Sequence, residues 1–271
     1  MNKWAIVGLG FISERHFKAI EHIGGEVILA CDIDPEKAYD FEDKNVSFYQ
    51  DFYEMISSLT FKEVTHVAIC TPNYLHAVMI NAIKGKVVLC EKPLTFEVKE
   101  LEGLKKVWTV LQLRHHPMIK SLVGNPVHVQ IVVKVFRGQD YWFGWKGKDH
   151  QSGGIIFNLG IHYLDLLIYL LGNKYDILKV KMESLRKVTG QINFKGTLAD
   201  FHFEILETHE EQTRFLKWGH RKVILSEQDN LSYEDLHKKI YEDLIKGKGI
   251  NVKEASKSII LAAQIKAKCF L

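Results

Sequence analysis

The stretch KWAIVGLGFISERH, residues 3–16, decides the first half of the fold. In it, Gly8 and Gly10 lie between a short apolar strand and a segment with helical spacing. The first glycine permits a tight turn, and the second lets a ligand approach the backbone at a helix N-terminus, where free amides attract anions. Ser13 replaces the third glycine of the usual G-x-G-x-x-G pattern, and a small residue there still permits close packing of helix on strand.

Apolar runs alternate with helix-like segments as far as residue 113. Strands that are apolar throughout and alternate with helices predict a parallel sheet that is covered on both faces. The predicted strands are 3–7, 27–32, 46–48, 65–70, 87–90 and 108–113, and the predicted helices are 14–23, 51–59, 76–84 and 97–105, the last capped by Thr95.

Asp32 ends the second predicted strand, 22 positions after Gly10. That spacing is close to the roughly 20 residues that separate the glycine turn of a dinucleotide site from its ribose-binding acid. A carboxylate there accepts hydrogen bonds from ribose hydroxyls and repels a 2′-phosphate, so the pattern predicts NAD rather than NADP. The alternative is a structural turn in which an aspartate only caps the backbone.

After Pro117 the pattern changes to long, alternating strands. The predicted strands are 127–136, 178–186, 191–194, 197–206, 214–217 and 222–225, with an apolar helix at 155–171 and two helices near 232–246 and 252–268. Scarce helices between the strands predict an open, mainly antiparallel sheet. The fold class is therefore α/β: a Rossmann doubly wound parallel sheet over 1–116, followed by a substrate-binding α+β domain over 117–271, whose C-terminal helix can pack on the first domain.

Lys92 follows a predicted strand and precedes Pro93. Ligands of open α/β sheets bind at the carboxyl ends of the strands. A lysine at that edge can polarise a substrate oxygen or take part in proton transfer. The alternative is a solvated lysine in a loop.

Asn158, His162 and Asp165 share one face of the predicted helix 155–171, which is otherwise apolar. Polar groups on such a helix need partners or a cavity. His162 can act as the general base for a hydroxyl proton, with Asp165 orienting it and Asn158 holding a substrate hydroxyl. The alternative is a histidine whose hydrogen bonds are satisfied in the core.

Composition limits the possible functions. The chain has 271 residues, 46% hydrophobic and 25% charged, and its formal net charge of +3 is too small to indicate nucleic acid but suits an anionic small molecule. It contains no run of 18 apolar residues, which predicts no membrane span, and its strand-like start leaves no room for a signal peptide. The four cysteines have no metal-like spacing, so we expect no metal and a reduced, cytoplasmic protein.

Four strings carry a resemblance to a known family: GLGFISERH at 8–16, CTPNYLH at 70–76, EKP at 91–93 and GGIIFNLGIHYLDLL at 153–167. The chain resembles the glucose–fructose oxidoreductase/inositol dehydrogenase (Gfo/Idh/MocA) family, whose members oxidise or reduce sugars with NAD(P). The resemblance implies catalytic roles for Lys92 and His162, and places Asn158 where many members have an aspartate. It implies a cofactor site formed by Gly8, Gly10, Phe11, Ile12, Asp32, Thr71, Pro72, Asn73, His76, Glu91 and Lys92.

Three further strings, LQLRHHP at 111–117, YWFGWKG at 141–147 and SYEDLHKKIYEDLIKGKG at 232–249, look like those of UDP-N-acetyl-glucosaminuronate 3-dehydrogenases. Those enzymes use NAD to oxidise the 3-hydroxyl of a nucleotide-linked uronate for surface polysaccharides. The implied substrate-binding residues are Arg114, Trp142, Trp145, Lys146, Asn158 and His162. Cationic groups there suit a diphosphate or a carboxylate, and the aromatic rings offer flat surfaces for a base or sugar. The alternative is a loop whose aromatic residues anchor it to the sheet.

Two other functions stay open. One is a dehydrogenase of a free cyclitol or aldose. The other is a catalytically silent NAD-binding sensor or assembly protein, which Asn158 favours and which Lys92 and His162 oppose. The C-terminal sheet is expected to leave Val, Phe, Ile and Leu exposed on one face, which predicts a homo-oligomer formed through that sheet, a tetramer rather than a dimer.

Overall fold

Six short strands form the predicted parallel sheet in the N-terminal half. The computed structural model of the chain describes residues 1–42, 45–225 and 233–269. The strands are β1 (Lys3–Val7), β2 (Glu26–Cys31), β3 (Ser47–Tyr49), β4 (His66–Ile69), β5 (Val87–Cys90) and β6 (Val107–Thr109). They lie in the order β3-β2-β1-β4-β5-β6, and every neighbouring pair is parallel. The order changes direction after β1, so the carboxyl end of β1, where the glycine turn begins, lies at the switch point at which such sheets bind ligands.

The helices α1 (Ser13–His22), α2 (Phe52–Ser57) and α3 (His76–Ala82) connect these strands. Two predictions near the end of this half are wrong in detail. The predicted helix 97–105 is a 3₁₀ helix at Val98–Gly103, and the Thr95 hydroxyl donates to the Glu100 carboxylate. The predicted strand 108–113 ends at Thr109, because an apolar run alone does not distinguish a strand from a buried turn.

A second six-stranded sheet, the C-terminal sheet, follows. Its strands are β7 (His128–Phe136), β8 (Asp176–Ser184), β9 (Lys187–Phe194), β10 (Thr197–Leu206), β11 (Thr213–Trp218) and β12 (Arg221–Ile224), in the order β12-β11-β7-β10-β9-β8. The pair β7 and β10 is parallel, and the other neighbours are antiparallel, so the sheet is mixed but mainly antiparallel. The short helices α4 (Pro117–Lys120), α5 (Gln139–Phe143) and α6 (Asp149–Ser152) accompany it.

The predicted helix 155–171 is not α-helical throughout. It begins with a π-helical turn at Ile156–Gly160 and continues as α7 (Ile161–Leu171). A side chain at Gly160 would bring its Cβ within 2.7 Å of the Phe203 ring of β10, so the glycine lets the helix pack directly against the sheet. The helical stretch Asp149–Leu171 is long and apolar enough to cross a membrane by length and composition alone, but most of it is buried inside the protein, as in a core helix.

The chain ends in α8 (Tyr233–Ile245) and α9 (Val252–Lys268). Ser232, predicted to begin the first of these helices, lies outside the described residues. The described residues divide into two compact units: 1–95, 99–112 and 233–252 in the first, and 96–98, 113–225 and 253–269 in the second. This division differs from the predicted ranges 1–116 and 117–271, because α8 belongs to the first unit and residues 96–98 and 113–116 belong to the second.

The face of the C-terminal sheet opposite α7 mixes polar and apolar side chains. Its polar side chains include Gln130, Lys134, Thr189, Gln191, Asp200, His202 and Glu204, and its apolar ones include the half-buried Phe136, Leu198, Leu206 and Phe215. His202 Nε2 lies 2.7 Å from Glu204 Oε2, and Gln191 donates to Asp200 at 2.9 Å. Val, Leu and Phe residues do lie on this face, as expected, but polar residues stand between them, and the alternation places most of the fully buried apolar residues on the face that α7 covers.

Self-association through this sheet stays a prediction. A homotetramer is expected, and light scattering at micromolar protein measures it. A return of the 31.3 kDa monomer mass contradicts the prediction.

Candidate functional site: a dinucleotide turn and a polar helix

The glycine turn after β1 has one sterically required glycine and one open one. Gly8 has φ +89°, and a Cβ on it would lie 2.8 Å from both the Cys70 carbonyl carbon and the Thr71 nitrogen. A Cβ on Gly10 would meet nothing within 4 Å, so the backbone there is open to a ligand. The Ser13 hydroxyl donates to the Gly10 carbonyl at 2.7 Å and closes the turn at the start of α1. This explains how serine replaces the third glycine.

Asp32 stands beside that turn with its carboxylate fixed. Oδ2 accepts a hydrogen bond from the Leu9 amide at 2.6 Å, and Oδ1 accepts one from the Asp34 amide at 2.9 Å. Asp32 therefore does cap backbone amides, as the alternative interpretation has it. Each carboxylate oxygen can accept a second hydrogen bond, so capping does not prevent contact with ribose hydroxyls. The open glycine backbone and this oriented acid fit the adenosine half of NAD.

The two predicted contacts after Gly10 differ in exposure. Phe11 is 82% exposed, and the Arg15 guanidinium lies 5.7 Å from the centroid of its ring. Ile12 is half-buried at the start of α1. Phe11 is thus an apolar surface at the mouth of the turn, available to a ligand that lies across it.

The segment after β4 has a structural role that the sequence did not predict. Thr71 and Pro72 are half-buried, whereas Asn73 and His76 are buried. His76 Nδ1 lies 2.7 Å from the Pro93 carbonyl oxygen, and its Nε2 lies 2.9 Å from the Thr71 carbonyl oxygen. Burial lowers the pKa of His76, and these carbonyls offset part of that effect. His76 therefore joins the loops that follow β4 and β5, and its predicted contact with the cofactor stays a prediction.

Glu91 directs its carboxylate into the first unit. Oε1 lies 3.1 Å from His16 Nε2 and 3.5 Å from His237 Nε2. Burial alone would raise the pKa of Glu91, but the two histidines outweigh burial and hold that pKa well below its usual range. The adjacent Lys92 is half-buried at the carboxyl end of β5, the edge at which it was predicted.

Sequence reasoning missed His237 as a partner of Glu91. The helical spacing of α1 places His16 on its apolar face, and a buried imidazole there indicates a hydrogen-bond partner. Nothing local indicates His237, because it lies on α8, far from Glu91 in sequence.

The polar residues of the helix in the second unit do not share one environment. Asn158 lies in the π-helical turn and donates to the Tyr141 hydroxyl at 2.8 Å. His162 is half-buried in the first turn of α7. Single π-helical turns occur frequently at functional sites, because they change which side chains face outward. Burial raises the pKa of Tyr141, so its hydroxyl stays protonated near neutral pH.

Asp165 and Arg114 form a buried ion pair. Arg114 Nε donates to Asp165 Oδ2 and its Nη2 donates to Oδ1, both at 2.7 Å, and Glu254 lies 3.6 Å from Nη1. Burial opposes the charge of Arg114, but Asp165 outweighs that effect and raises the pKa of the guanidinium. The predicted orienting role of Asp165 and substrate-binding role of Arg114 gain no support from this geometry, because each charge is already balanced by the other.

The aromatic segment in the second unit is tied to the sheet at one ring. The Arg186 guanidinium, from the turn between β8 and β9, lies 4.5 Å from the centroid of the Trp142 ring. Trp145 is half-buried, and the ammonium of the exposed Lys146 lies 5.7 Å from its ring. The contact at Trp142 favours the anchoring interpretation for that ring, and leaves Trp145 and Lys146 as the predicted substrate contacts.

Arg137 is a residue that sequence reasoning missed. Its guanidinium lies 6.0 Å from the ring of Tyr141, the residue that binds Asn158. Burial, and then the charge of Arg214, lower the pKa of Arg137. Arg137 therefore places a positive charge beside the ring of Tyr141.

Comparison with known proteins agrees with this description. The family described as "Oxidoreductase family, NAD-binding Rossmann fold" matches residues 2–129, and its "C-terminal alpha/beta domain" matches residues 118–224. A curated relative, the inositol 2-dehydrogenase/D-chiro-inositol 3-dehydrogenase of Lactiplantibacillus plantarum, is 25% identical over 66% of this chain and 55% of its own length. The chain thus spans little more than half of the curated relative.

Solved structures match over nearly the whole chain. The WlbA (WbpB) dehydrogenase of Thermus thermophilus, in complex with NAD and alpha-ketoglutarate, has a TM-score of 0.88 and 26% identity, covering 98% of this chain and 95% of that one. The same enzyme in complex with NAD and UDP-GlcNAcA has a TM-score of 0.85 and 27% identity, with the same coverage. Two domain matches in the order and positions expected, together with a glycine turn and acid that fit NAD, show that this chain belongs to the Gfo/Idh/MocA oxidoreductase family.

Proposed function

We propose that this protein is an NAD-dependent dehydrogenase that oxidises the 3-hydroxyl of a UDP-linked N-acetylglucosaminuronate in nucleotide-sugar synthesis for surface polysaccharides. The observation that carries the proposal is the likeness, over 98% of the chain, to a dehydrogenase solved with NAD and UDP-GlcNAcA. The charge beside Tyr141, the partner of Asn158, supports it, because the guanidinium of Arg137 suits the carboxylate or diphosphate of such a substrate.

The residues of this chain supply proton transfer and orientation. Bound NAD supplies the acceptor for the hydride. His162 takes the proton of the substrate hydroxyl, and Lys92 polarises a substrate oxygen or takes part in proton transfer. Asn158 cannot act as a base, so it orients the substrate hydroxyl together with Tyr141.

A screen for NADH formation tests this function. UDP-GlcNAcA, UDP-GlcNAc, myo-inositol and glucose are each offered with NAD, and absorbance at 340 nm is followed. We expect the fastest NADH formation with UDP-GlcNAcA and measurable binding of UDP alone by calorimetry. Oxidation of inositol or glucose without UDP binding favours the free cyclitol or aldose alternative, for which the inositol dehydrogenase relative provides the support. NAD binding without any turnover favours the silent sensor or assembly protein.

Asp32 is expected to set the preference for NAD. Replacing Asp32 with Ala is expected to narrow the difference in binding free energy between NAD and NADP by about 1–3 kcal/mol. The variant loses the charge-assisted hydrogen bond to the ribose hydroxyls of NAD and the repulsion of the 2′-phosphate of NADP. Fluorescence titration with both cofactors measures the two dissociation constants. Asp34→Ala is the matched control, because Asp34 caps the 3₁₀ helix Pro35–Phe41 through the Glu36 amide instead. Tighter binding of NADP than NAD by the native protein would contradict the assignment.

A cytoplasmic location is part of the same proposal. All four cysteines are free thiols, and burial raises the pKa of Cys31 to about 12, so that thiol stays protonated and unreactive.

A further inference from the structure

A buried chain of polar side chains lies behind Lys92 in the first unit. Tyr241 Oη is 2.6 Å from His16 Nδ1, His16 Nε2 is 3.1 Å from Glu91 Oε1, and His237 Nε2 is 3.5 Å from the same oxygen. Tyr241, His16 and His237 are fully buried, and the Glu91 side chain is 12% exposed. Burying polar groups costs free energy unless each of them is hydrogen-bonded. A buried network of this kind therefore specifies one arrangement of its side chains.

Burial and hydrogen-bond partners together indicate which of these side chains carry a proton. Burial raises the pKa of Tyr241 well above its usual value, so its hydroxyl is a donor. Burial lowers the pKa of His16, with partial compensation by Glu91, so the imidazole is neutral near pH 7. A neutral His16 then accepts from Tyr241 at Nδ1 and donates from Nε2 to the ionised Glu91, which satisfies both of its ring nitrogens.

The backbone around Lys92 is held on both sides. The Lys92 amide lies 3.3 Å from Glu91 Oε2, and the Pro93 carbonyl is bound by His76 at 2.7 Å. The start of the Lys92 side chain is therefore fixed by Glu91 before it and by His76 after it. A catalytic group must be held within a fraction of an ångström of its productive position.

We propose that His16 and His237 are positioning residues for Lys92: they fix the Glu91 carboxylate, and Glu91 fixes the backbone amide of Lys92. This inference rests on the proposed function, in which Lys92 takes part in proton transfer. It gives α8 a role in the chemistry of the first unit, because His237 and Tyr241 both lie on that helix.

His16, Glu91 and His237 also have the spacing of metal ligands. Their ligand atoms all lie within 4.8 Å of one another, and the 3.1 and 3.5 Å separations resemble the roughly 3.3 Å between ligands of a tetrahedral zinc site. Positioning is favoured, because a neutral His16 between Tyr241 and Glu91 satisfies its hydrogen bonds without an ion. Zinc binding is therefore an outcome that the test must distinguish.

The test compares His237→Ala and His237→Gln with a matched control. His22→Gln is that control, because His22 also links α1 to α8, through Glu242 at 2.9 Å, but is not a partner of Glu91 in this network. We expect His237→Ala to lower kcat about tenfold while the KM for NAD changes less than about twofold, and His237→Gln to restore most of the loss. His22→Gln is expected to leave kcat unchanged.

A second readout does not depend on activity. An amine-reactive acetylating reagent labels lysines, and peptide mass spectrometry gives the rate at Lys92. We expect labelling of Lys92 to accelerate about threefold in His237→Ala, because the loop after β5 opens more often when Glu91 loses its contact with His237. In His22→Gln the labelling rate is expected to stay unchanged. If His237→Ala does not fold, Tyr241→Phe and His237→Gln are measured instead, with smaller effects in the same direction.

The outcomes separate the two proposals. Lys92→Ala with normal turnover overturns the proposed role of Lys92 itself. An inactive Lys92→Ala together with a His237→Ala of normal kcat and normal labelling overturns only the positioning role. Stoichiometric binding of zinc chloride by the native protein in equilibrium dialysis, lost in His237→Ala, also overturns it, because Glu91 would then serve as a metal ligand.

Discussion

Replacing His162 with Asn is expected to lower turnover by about 10²-fold or more while binding of NAD persists. Asparagine keeps a polar side chain of similar reach but cannot take a proton. The nearby Asn158 cannot replace the lost base, since an amide has no titratable group in this range. His162 is half-buried in the first turn of α7.

Lys92→Ala is expected to lower turnover by a similar factor, because the cation that polarises the substrate oxygen is lost. Both variants are measured by NADH formation, with NAD binding followed separately by fluorescence. The matched controls are His150→Asn and Lys84→Ala, which remove an exposed histidine and an exposed lysine outside the proposed site. Near-normal turnover in both His162→Asn and Lys92→Ala removes these residues from the catalytic role.

Asp165→Ala is expected to reduce the free energy of unfolding by about 3–5 kcal/mol, because it leaves the buried Arg114 guanidinium without its bidentate partner. The Asp165 side chain is 1% exposed and that of Arg114 is 9% exposed, so little water can compensate. A loss this large is a substantial fraction of the stability of an ordinary domain. Urea unfolding measures it.

The control for this pair is Lys266→Ala. Lys266 pairs with Asp149 at 2.7 Å, but both side chains are partly exposed, so the expected loss is at most about 1 kcal/mol. The double replacement Arg114→Met with Asp165→Leu is expected to recover most of the stability that Asp165→Ala loses, because no charge then remains buried. Equal losses in Asp165→Ala and Lys266→Ala would show that the buried pair contributes no more than a surface pair.

A retained activity in the stable double variant would also settle the predicted role of Arg114. If Arg114 binds substrate, the double variant loses affinity for UDP-GlcNAcA although it folds. If the Arg114 guanidinium only holds α7 through Asp165, the double variant keeps the KM for UDP-GlcNAcA. The buried ion pair favours this second outcome.

The sequence by itself determined the parallel sheet, the glycine turn and the acid beside it. These features are local: a continuous apolar run meets a glycine, and the spacing from Gly10 to Asp32 reflects one helix and one strand. The positions of Lys92 and His162 along the chain were predictable for the same reason. The sequence also indicated the family, because that resemblance depends on short sequence motifs and not on tertiary packing.

Only the tertiary structure decided which polar groups face each other. Asp165, predicted to orient His162, pairs with Arg114, which lies 51 residues earlier in the chain, so that only packing brings the two together. Glu91 meets His16 and His237 because the chain returns to the first unit in α8, a contact that no local pattern encodes. Side-chain partners separated by many residues depend on topology and close packing, and periodicity reports only which face of an element is apolar.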